Sequence, residues 1–291
     1  MSVKDYENRA RFSEKRIIRF QNKVLDFYRK RGRVFPWRNI RDPYAILVSE
    51  VMLQQTQVDR VVPKYLEWLK RFPTVSSLAC APKGEVIKAW QGLGYNRRAL
   101  HLKRAAEVIA TKYKGKVPRT LEELQSLPGI GPYTSGAIAA FAFGMNLPFI
   151  ETNIRTVFIH FFFRGKKKVR DEEILELVVR ALPNKVRLLS RHKVELCSVR
   201  EWYNALMDCG AMLKRAVGNV NTCAAKYAKQ SAFKGSRKEI RGAILRRATE
   251  KEKVTLADFK EHQTKFSVPE IFSELASEGF LRKIGEDFTL A

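Results

Sequence analysis

The sequence predicts an all-α main body followed by a small C-terminal module of helices and one β-hairpin. Three observations predict it. Apolar residues recur at helical spacing through most of the chain, no β-rich or alternating βα pattern occurs, and a second pattern begins at Ser236. There is no internal repeat.

Glu14–Arg31 reads as an amphipathic helix, with Ile17, Phe20, Val24 and Tyr28 on one stripe and Gly32 as its stop. Phe35-Pro36-Trp37-Arg38 forms a rigid aromatic connector into a helix over 44–55. Inside that helix Glu50 interrupts the apolar run Ala45–Leu53. A carboxylate in such surroundings has its charged form disfavoured, which suits a proton donor. The plainer alternative is a glutamate on a solvated stripe. Gln54-Gln55-Thr56-Gln57 follows, a set of amide side chains able to donate and accept toward base edges, or simply to be solvated.

Helical spacing continues over 61–71, 77–81, 84–90 and 97–112, with Gly92-Leu93-Gly94-Tyr95 as a tight turn that presents Tyr95. A helix over 121–126, the turn Leu127-Pro128-Gly129-Ile130-Gly131-Pro132-Tyr133-Thr134, and the Ala-rich run to Ala142 make a helix–hairpin–helix. Gly129 and Gly131 allow backbone conformations closed to other residues, and the amides opening the second helix form an anion seat. An ordinary packing corner reads the same way. Glu151 and Asn153 head an apolar helix over 154–163, where capping alone would favour them. Helices follow over 171–182 and 201–214, separated by a charge-rich stretch, 185–200, that looks like an insertion; 216–234 is irregular. The module then reads as helices over 238–248, 254–260 and 268–279 and a hairpin over 281–290, a winged-helix-like pattern of the helix-turn-helix class.

The chain has 291 residues, with 55 Lys+Arg against 30 Asp+Glu, a net charge of +25 spread along its length. Phosphate neutralisation with counterion release rewards such a surface, so nucleic acid is the expected partner. No apolar run reaches the roughly 18 residues of a membrane span, and no signal-peptide pattern opens the chain. The expected location is therefore cytoplasmic and nucleoid-associated. Cys80, Cys197, Cys209 and Cys223, like the four histidines, lack metal-ligand spacing; reduced thiols and no metal site are expected.

Together these stretches resemble the helix-hairpin-helix DNA glycosylase superfamily, and within it the MutY-type adenine DNA glycosylases. Phe35–Arg38 resembles the family's (L/F)PWR motif, and Val48–Val58 its catalytic-helix motif almost residue for residue. Gln91–Tyr95 and Leu127–Thr134 follow at similar spacing, so the likeness covers roughly 30–215. It implies a six-helix barrel (36–145) with the hairpin, a second helical domain from both flanks (1–35 and 146–233), and the module (234–291) apart. It also implies roles. Glu50 falls on the general acid, Glu151 on an essential Asp that stabilises the oxocarbenium-like sugar, Asn153 on an active-site Asn, and Tyr133 on a Tyr found in some adenine glycosylases. Gln54, Gln55, Tyr95, Gly129, Gly131 and Thr134 become DNA contacts, with Gln55 and Tyr95 wedged into the base stack.

Tyr133 stands where bifunctional relatives carry a nucleophilic Lys, which implies a monofunctional hydrolase. Lys214 stands at the first ligand position of the family's 4Fe-4S cluster, and Cys223 is the one cysteine downstream, so the cluster is expected to be absent. Where the family carries a Nudix-like C-terminal domain, the module is expected to stand in its place. The expectation is a monomeric, metal-independent base-excision-repair enzyme acting on mismatched or damaged double-stranded DNA, with adenine opposite guanine or 8-oxoguanine as its substrate. The alternatives are a mismatch thymine or uracil DNA glycosylase and a catalytically inactive DNA-binding protein.

Overall fold

The computed structural model describes residues 12–183, 197–227, 232–262 and 266–291. Among them the helices are α1 (Glu14–Arg31), α2 (Pro43–Leu53), α3 (Val58–Arg71), α4 (Val75–Cys80), α5 (Lys83–Trp90), α6 (Arg97–Lys112) and α7 (Leu121–Gln125). They continue with α8 (Pro132–Phe143), α9 (Thr152–Phe162), α10 (Asp171–Arg180), α11 (Val199–Val217), α12 (Arg237–Glu250) and α13 (Val268–Ser277). The one sheet among the described residues is the hairpin of β1 (Leu281–Ile284) and β2 (Asp287–Leu290). The stretch expected as an insertion, 185–200, lies outside the described residues as far as 196.

The chain forms two compact units, whose boundaries cut α2 between Ile46 and Leu47 and the hairpin turn between Ile130 and Gly131. The first unit holds α1 and α8–α11; the second holds most of α2, α3–α6, most of α7, and the C-terminal helices and strands. These cuts differ from the motif-based limits at 36–145 and 234–291. The reason for α8 is packing: Ala137, Ala140 and Phe141 are buried in the core of the first unit.

That core is built around α9. Ile154, Val157, Phe158, Ile159 and Phe162 recur at helical spacing and are all buried. The Phe20 ring of α1 lies 5.1 Å from Phe158, 5.0 Å from Phe162 and 5.9 Å from Trp202 of α11. Each such ring contributes about 1.5–3 kcal/mol on burial. Gly32 stops α1 because its amide closes on Tyr28 O at 2.6 Å, where a Cβ would collide.

The Phe35–Arg38 connector is anchored by one carboxylate. Asp208 of α11, 3% exposed, accepts from Arg33 N (2.7 Å), Arg33 Nε (2.8 Å), Arg38 Nη1 (2.8 Å) and Arg38 Nη2 (2.7 Å). Burial alone would raise the Asp208 carboxyl, but the hydrogen bonds from Arg38 and Arg33 outweigh it and hold it below the ordinary value.

In the second unit Trp68 of α3 and Trp90 of α5 meet edge to face at 5.5 Å. The C-terminal residues pack around Ile244, Val268, Ile271, Phe272, Leu275 and Phe280. β1 and β2 pair antiparallel from Leu281↔Leu290 to Ile284↔Asp287, joined by Gly285 and Glu286. The helix expected over 254–260 is a 3-10 run, Leu256–His262. Val254 is drawn out of it because its amide and carbonyl pair with Phe288 at 2.8 and 2.9 Å.

Asp208→Asn should cost about 3–5 kcal/mol, because it leaves the buried Arg38 guanidinium without a counter-charge. The sign with pH follows from the depressed carboxyl: its contribution is complete above the unfolded value and is lost as pH falls through the folded one. Urea unfolding should therefore show the mutant weaker at neutral pH and the gap narrowing in acid. A gap that persists unchanged at low pH would exclude the ion pair as its source.

Candidate active site

In the second unit, α2 is buried on nearly every face, and Glu50 within it is 4% exposed. The C-terminal end of such a helix leaves carbonyls without partners. Arg98, from the first turn of α6, supplies them: Nη1 donates to Val51 O (2.8 Å), Met52 O (2.9 Å) and Gln54 O (2.6 Å). Nη2 donates to Thr56 Oγ1 (2.8 Å) and Gly94 O (2.9 Å). Trp90 Nε1 meets the same Gly94 carbonyl at 3.1 Å, and its ring lies under the Arg98 guanidinium at 5.1 Å. Burial lowers the Arg98 guanidinium to about 10, so it stays charged at neutral pH.

Arg98 thereby ties the loop after α2 to the loop before α6. Thr56 Oγ1 adds a contact to Leu93 O at 3.2 Å. At the tips of these loops Gln55 (φ 55°) and Tyr95 (φ 49°) both sit in the left-handed region, and both are exposed, Tyr95 by 44%. Two non-glycine residues there cost on the order of 1–3 kcal/mol each and cluster at ligand contacts. Gln54, Gln55 and Tyr95, singled out separately in the sequence, thus share one support. Arg98 itself was missed. A signal existed: Arg97 and Arg98 open a helix, the end where the dipole disfavours cations.

Gly129 takes φ +78°, and a Cβ on it would come within 2.7 Å of His101 Cβ, so both conformation and space require glycine. Gly131 differs from expectation. Its φ of −89° is open to any residue, and a Cβ there would meet nothing within 4 Å. Thr134 is 2% exposed, so what it could offer an anion is its main-chain amide in the first turn of α8.

The first unit holds Glu151, Asn153 and Tyr133. Glu151 is the N-cap of α9: Oε1 accepts from Asn153 N (2.7 Å) and Ile154 N (3.0 Å). Oε2 accepts from Asn153 Nδ2 at 3.3 Å. Desolvation raises the Glu151 carboxyl above its ordinary value, against these hydrogen bonds. Asn153 is set by α11, where a Cβ on Gly210 would collide with the Asn153 carbonyl oxygen and come 2.6 Å from its Cβ. Phe149 fixes the approach to Glu151, stacked at 4.0 Å on Tyr203 and packed so tightly on Gly136 that a Cβ there would be 2.8 Å away. The Tyr133 ring lies 5.9 Å from Phe149.

The last turn of α11 and the segment after it offer poor metal donors. Lys214 is exposed, and Asn221 is turned inward, donating to Thr156 Oγ1 at 2.8 Å. Burial pushes the Cys197 and Cys209 thiols up to about 12, and Cys223 is the last residue of that segment's helical turn, Val220–Cys223. Among the described residues no three His, Cys, Asp or Glu side chains group as a metal site. A four-thiolate cluster does not fit this donor set.

Residues 48–181 match the HhH-GPD superfamily of base excision DNA repair proteins. The adenine DNA glycosylase of Mycolicibacterium smegmatis is 47% identical over 135 residues, 46% of this chain and 46% of that protein. The adenine DNA glycosylase of Buchnera aphidicola subsp. Baizongia pistaciae is 32% identical over 195 residues, 67% of this chain and 52% of that protein. The chain thus spans about half the length of these curated relatives. A solved thermostable thymine-DNA glycosylase superposes with a TM-score of 0.57 at 28% identity, over 68% of this chain and 87% of that one. The matched segment contains Glu50, Gln54, Gln55, Tyr95, the hairpin, Glu151 and Asn153. With its helical fold and its glycosylase neighbours, the chain is similar over residues 48–181 to the HhH-GPD superfamily of base excision DNA repair proteins.

Proposed function

We propose that this protein is a monofunctional DNA glycosylase that removes adenine mispaired with guanine or 8-oxoguanine. The observation that carries it is Glu50, a carboxylate 4% exposed in an otherwise apolar helix whose end, held by Arg98, presents Gln55. The adenine glycosylases at 47% and 32% identity support adenine as the base. The thymine-DNA glycosylase likeness at 28% identity supports the second reading, a mismatch thymine or uracil enzyme.

In this mechanism the base first leaves the duplex, at a cost of a few kcal/mol that is smaller at a mismatch. Gln55 and Tyr95 fill the space it vacates. Glu50 gives its proton to a ring nitrogen of the base, the C1′–N bond breaks with its electron pair going to the base, and water adds to C1′ as it returns a proton to the Glu50 carboxylate. The Glu151 carboxylate offsets positive charge on the sugar, with Asn153 orienting it. Tyr133 offers no amine, so no Schiff base forms and the abasic strand is left uncut. The partner is double-stranded DNA, bound by a monomer, and the +25 charge makes affinity steeply salt-dependent.

End-labelled duplexes containing A·G, A·8-oxoguanine, T·G and U·G, read with and without alkali, test the reading. Base release from the adenine duplexes, with strand breaks appearing after alkali, is expected. Glu50→Gln should reduce single-turnover release by roughly three orders of magnitude or more while duplex affinity holds, as when a transition-state group is lost. Equal turnover by mutant and wild type would remove Glu50 from the chemistry.

Glu151 gives a sharper test, since the cap it forms on α9 could be its whole role. A cap alone predicts that Glu151→Gln costs about 1 kcal/mol of stability and leaves the rate untouched. A sugar-side anion predicts near-complete loss of release. It also predicts an acid-side limb in the rate–pH profile above the ordinary carboxyl value of 4.5, because burial raises this group and the ionised form is the working one. Glu151→Asp should retain charge-dependent release. Melting temperatures beside single-turnover rates separate the two.

We also propose that the enzyme works without an iron–sulfur cluster, on the donor set after α11. Purified protein should be colourless and free of stoichiometric iron. Iron that survives chelation, with a broad visible absorbance, would contradict it.

A further inference from the structure

The C-terminal module has the build of a winged helix, in which the helix at the position of α13 is the one that enters a DNA groove. Here that helix is acidic. Its exposed residues include Glu270, Ser273, Glu274 and Ser277, with no Lys or Arg in Val268–Ser277, and Glu278 follows at once. The three glutamates are already taken. Arg237 meets Glu274 at 2.6 Å and Glu270 at 3.8 Å, and Arg241 meets Glu274 at 3.1 Å and Glu278 at 2.6 Å. With its glutamates tied up and no Lys or Arg of its own, this helix has no cation to offer a phosphate or a base edge.

The module is instead built onto α5 and α6 of its own unit. Ile87 of α5 and Leu100 of α6 are buried in the module's own apolar core. The chain end lies over Gly84, where a Cβ would stand 3.2 Å from Ala291 O and 3.3 Å from Leu290 Cδ2. Arg97 grips Glu278 through two bonds, Nε to Oε2 at 2.9 Å and Nη2 to Oε1 at 2.5 Å. Arg97 and Leu100 flank Arg98, the residue that holds the Gln55 and Tyr95 loops. The module therefore grips the one helical turn on which both loops depend.

We propose that the C-terminal module is a brace and not a second DNA reader: through Glu278 and Arg97 it fixes the first turn of α6, and Glu278 is a positioning residue for Gln55 and Tyr95. The functional half of this rests on those two residues acting as the wedge of the proposed glycosylase.

The test uses the full chain, comparing wild type with Glu278→Gln and Glu278→Asp. Amide hydrogen exchange over 54–57 and 92–98 reads the brace whether or not the protein releases any base. Glu278→Gln should speed exchange there by roughly tenfold, as a local opening made easier does, and Glu278→Asp should stay near wild type. Extrusion is read separately, by the fluorescence of 2-aminopurine placed opposite guanine in a duplex. It should fall severalfold in Glu278→Gln, with affinity for a matched duplex and its salt slope unchanged. Unaltered exchange in both loops would overturn the brace. A reduced salt slope would also overturn it, and would make the module a phosphate-contacting surface. Faster exchange with unchanged extrusion would keep the brace and remove the wedge from Gln55 and Tyr95, so the two readings fail separately.

Discussion

One guanidinium organises the second unit's functional end. Arg98 is 8% exposed, and an unpaired charge at that depth would cost several kcal/mol. It is tolerated because carbonyls of Val51, Met52, Gln54 and Gly94, with the Thr56 hydroxyl, surround it at 2.6–2.9 Å. These acceptors are dipoles and not carboxylates, so the net positive charge survives. It sits at the C-terminal end of α2, where the helix dipole favours it. The same contacts hold Gln55 and Tyr95 in conformations that neither would keep unaided. Helix α2 and the loops therefore share one fastening, and a change at Arg98 would disturb stability and loop geometry together.

Glu151 presents the opposite arrangement, an anion at a helix start. Glutamate is an uncommon N-cap, since shorter side chains reach the first-turn amides more readily. Here the extra methylene lets the chain curl so that Oε1 takes two amides and Oε2 one side-chain donor. Capping and the proposed sugar-side role do not compete for the whole carboxylate. A carboxylate has about four lone-pair sites, and three are engaged. Desolvation raises the group while the helix start and its donors oppose the shift, so the ionised form is held by α9 itself.

Much of this was legible in the sequence because it depends on local periodicity. The limits of Glu14–Arg31 and Arg97–Lys112 follow from apolar stripes bounded by Gly32 and by the Gly92–Tyr95 turn, and the structure keeps both. The residues that escaped act at long range. Arg98 works on residues more than 40 positions earlier, and Asp208 binds Arg33 and Arg38 some 170 positions earlier. Gly210 serves to admit the Asn153 backbone to the face of α11. None of these leaves a periodic trace, since each is one polar or small residue inside a helix whose pattern is set by others. The helix expected over 254–260 failed for a related reason. Local propensity allowed it, but a bridge to Phe288, far ahead in the chain, claimed Val254.

The segment after α11 shows how little is needed to hold a short stretch of chain. Val169 N donates to Cys223 O, and Ala225 N donates to Val169 O, both at 2.8 Å. Asn219 caps Asn221 N at 3.2 Å, and the Asn221 side chain reaches Thr156 of α9 at 2.8 Å. Each of these bonds contributes only about 1 kcal/mol. Closing a loop of some ten residues costs little more than closing a shorter one, because the entropy grows only with the logarithm of length. A handful of such bonds can therefore offset much of the closure cost. The contact also has a direction: Thr156 lies one turn beyond the Glu151 cap on the same helix, so the segment steadies α9 close to the carboxylate that the proposed chemistry needs.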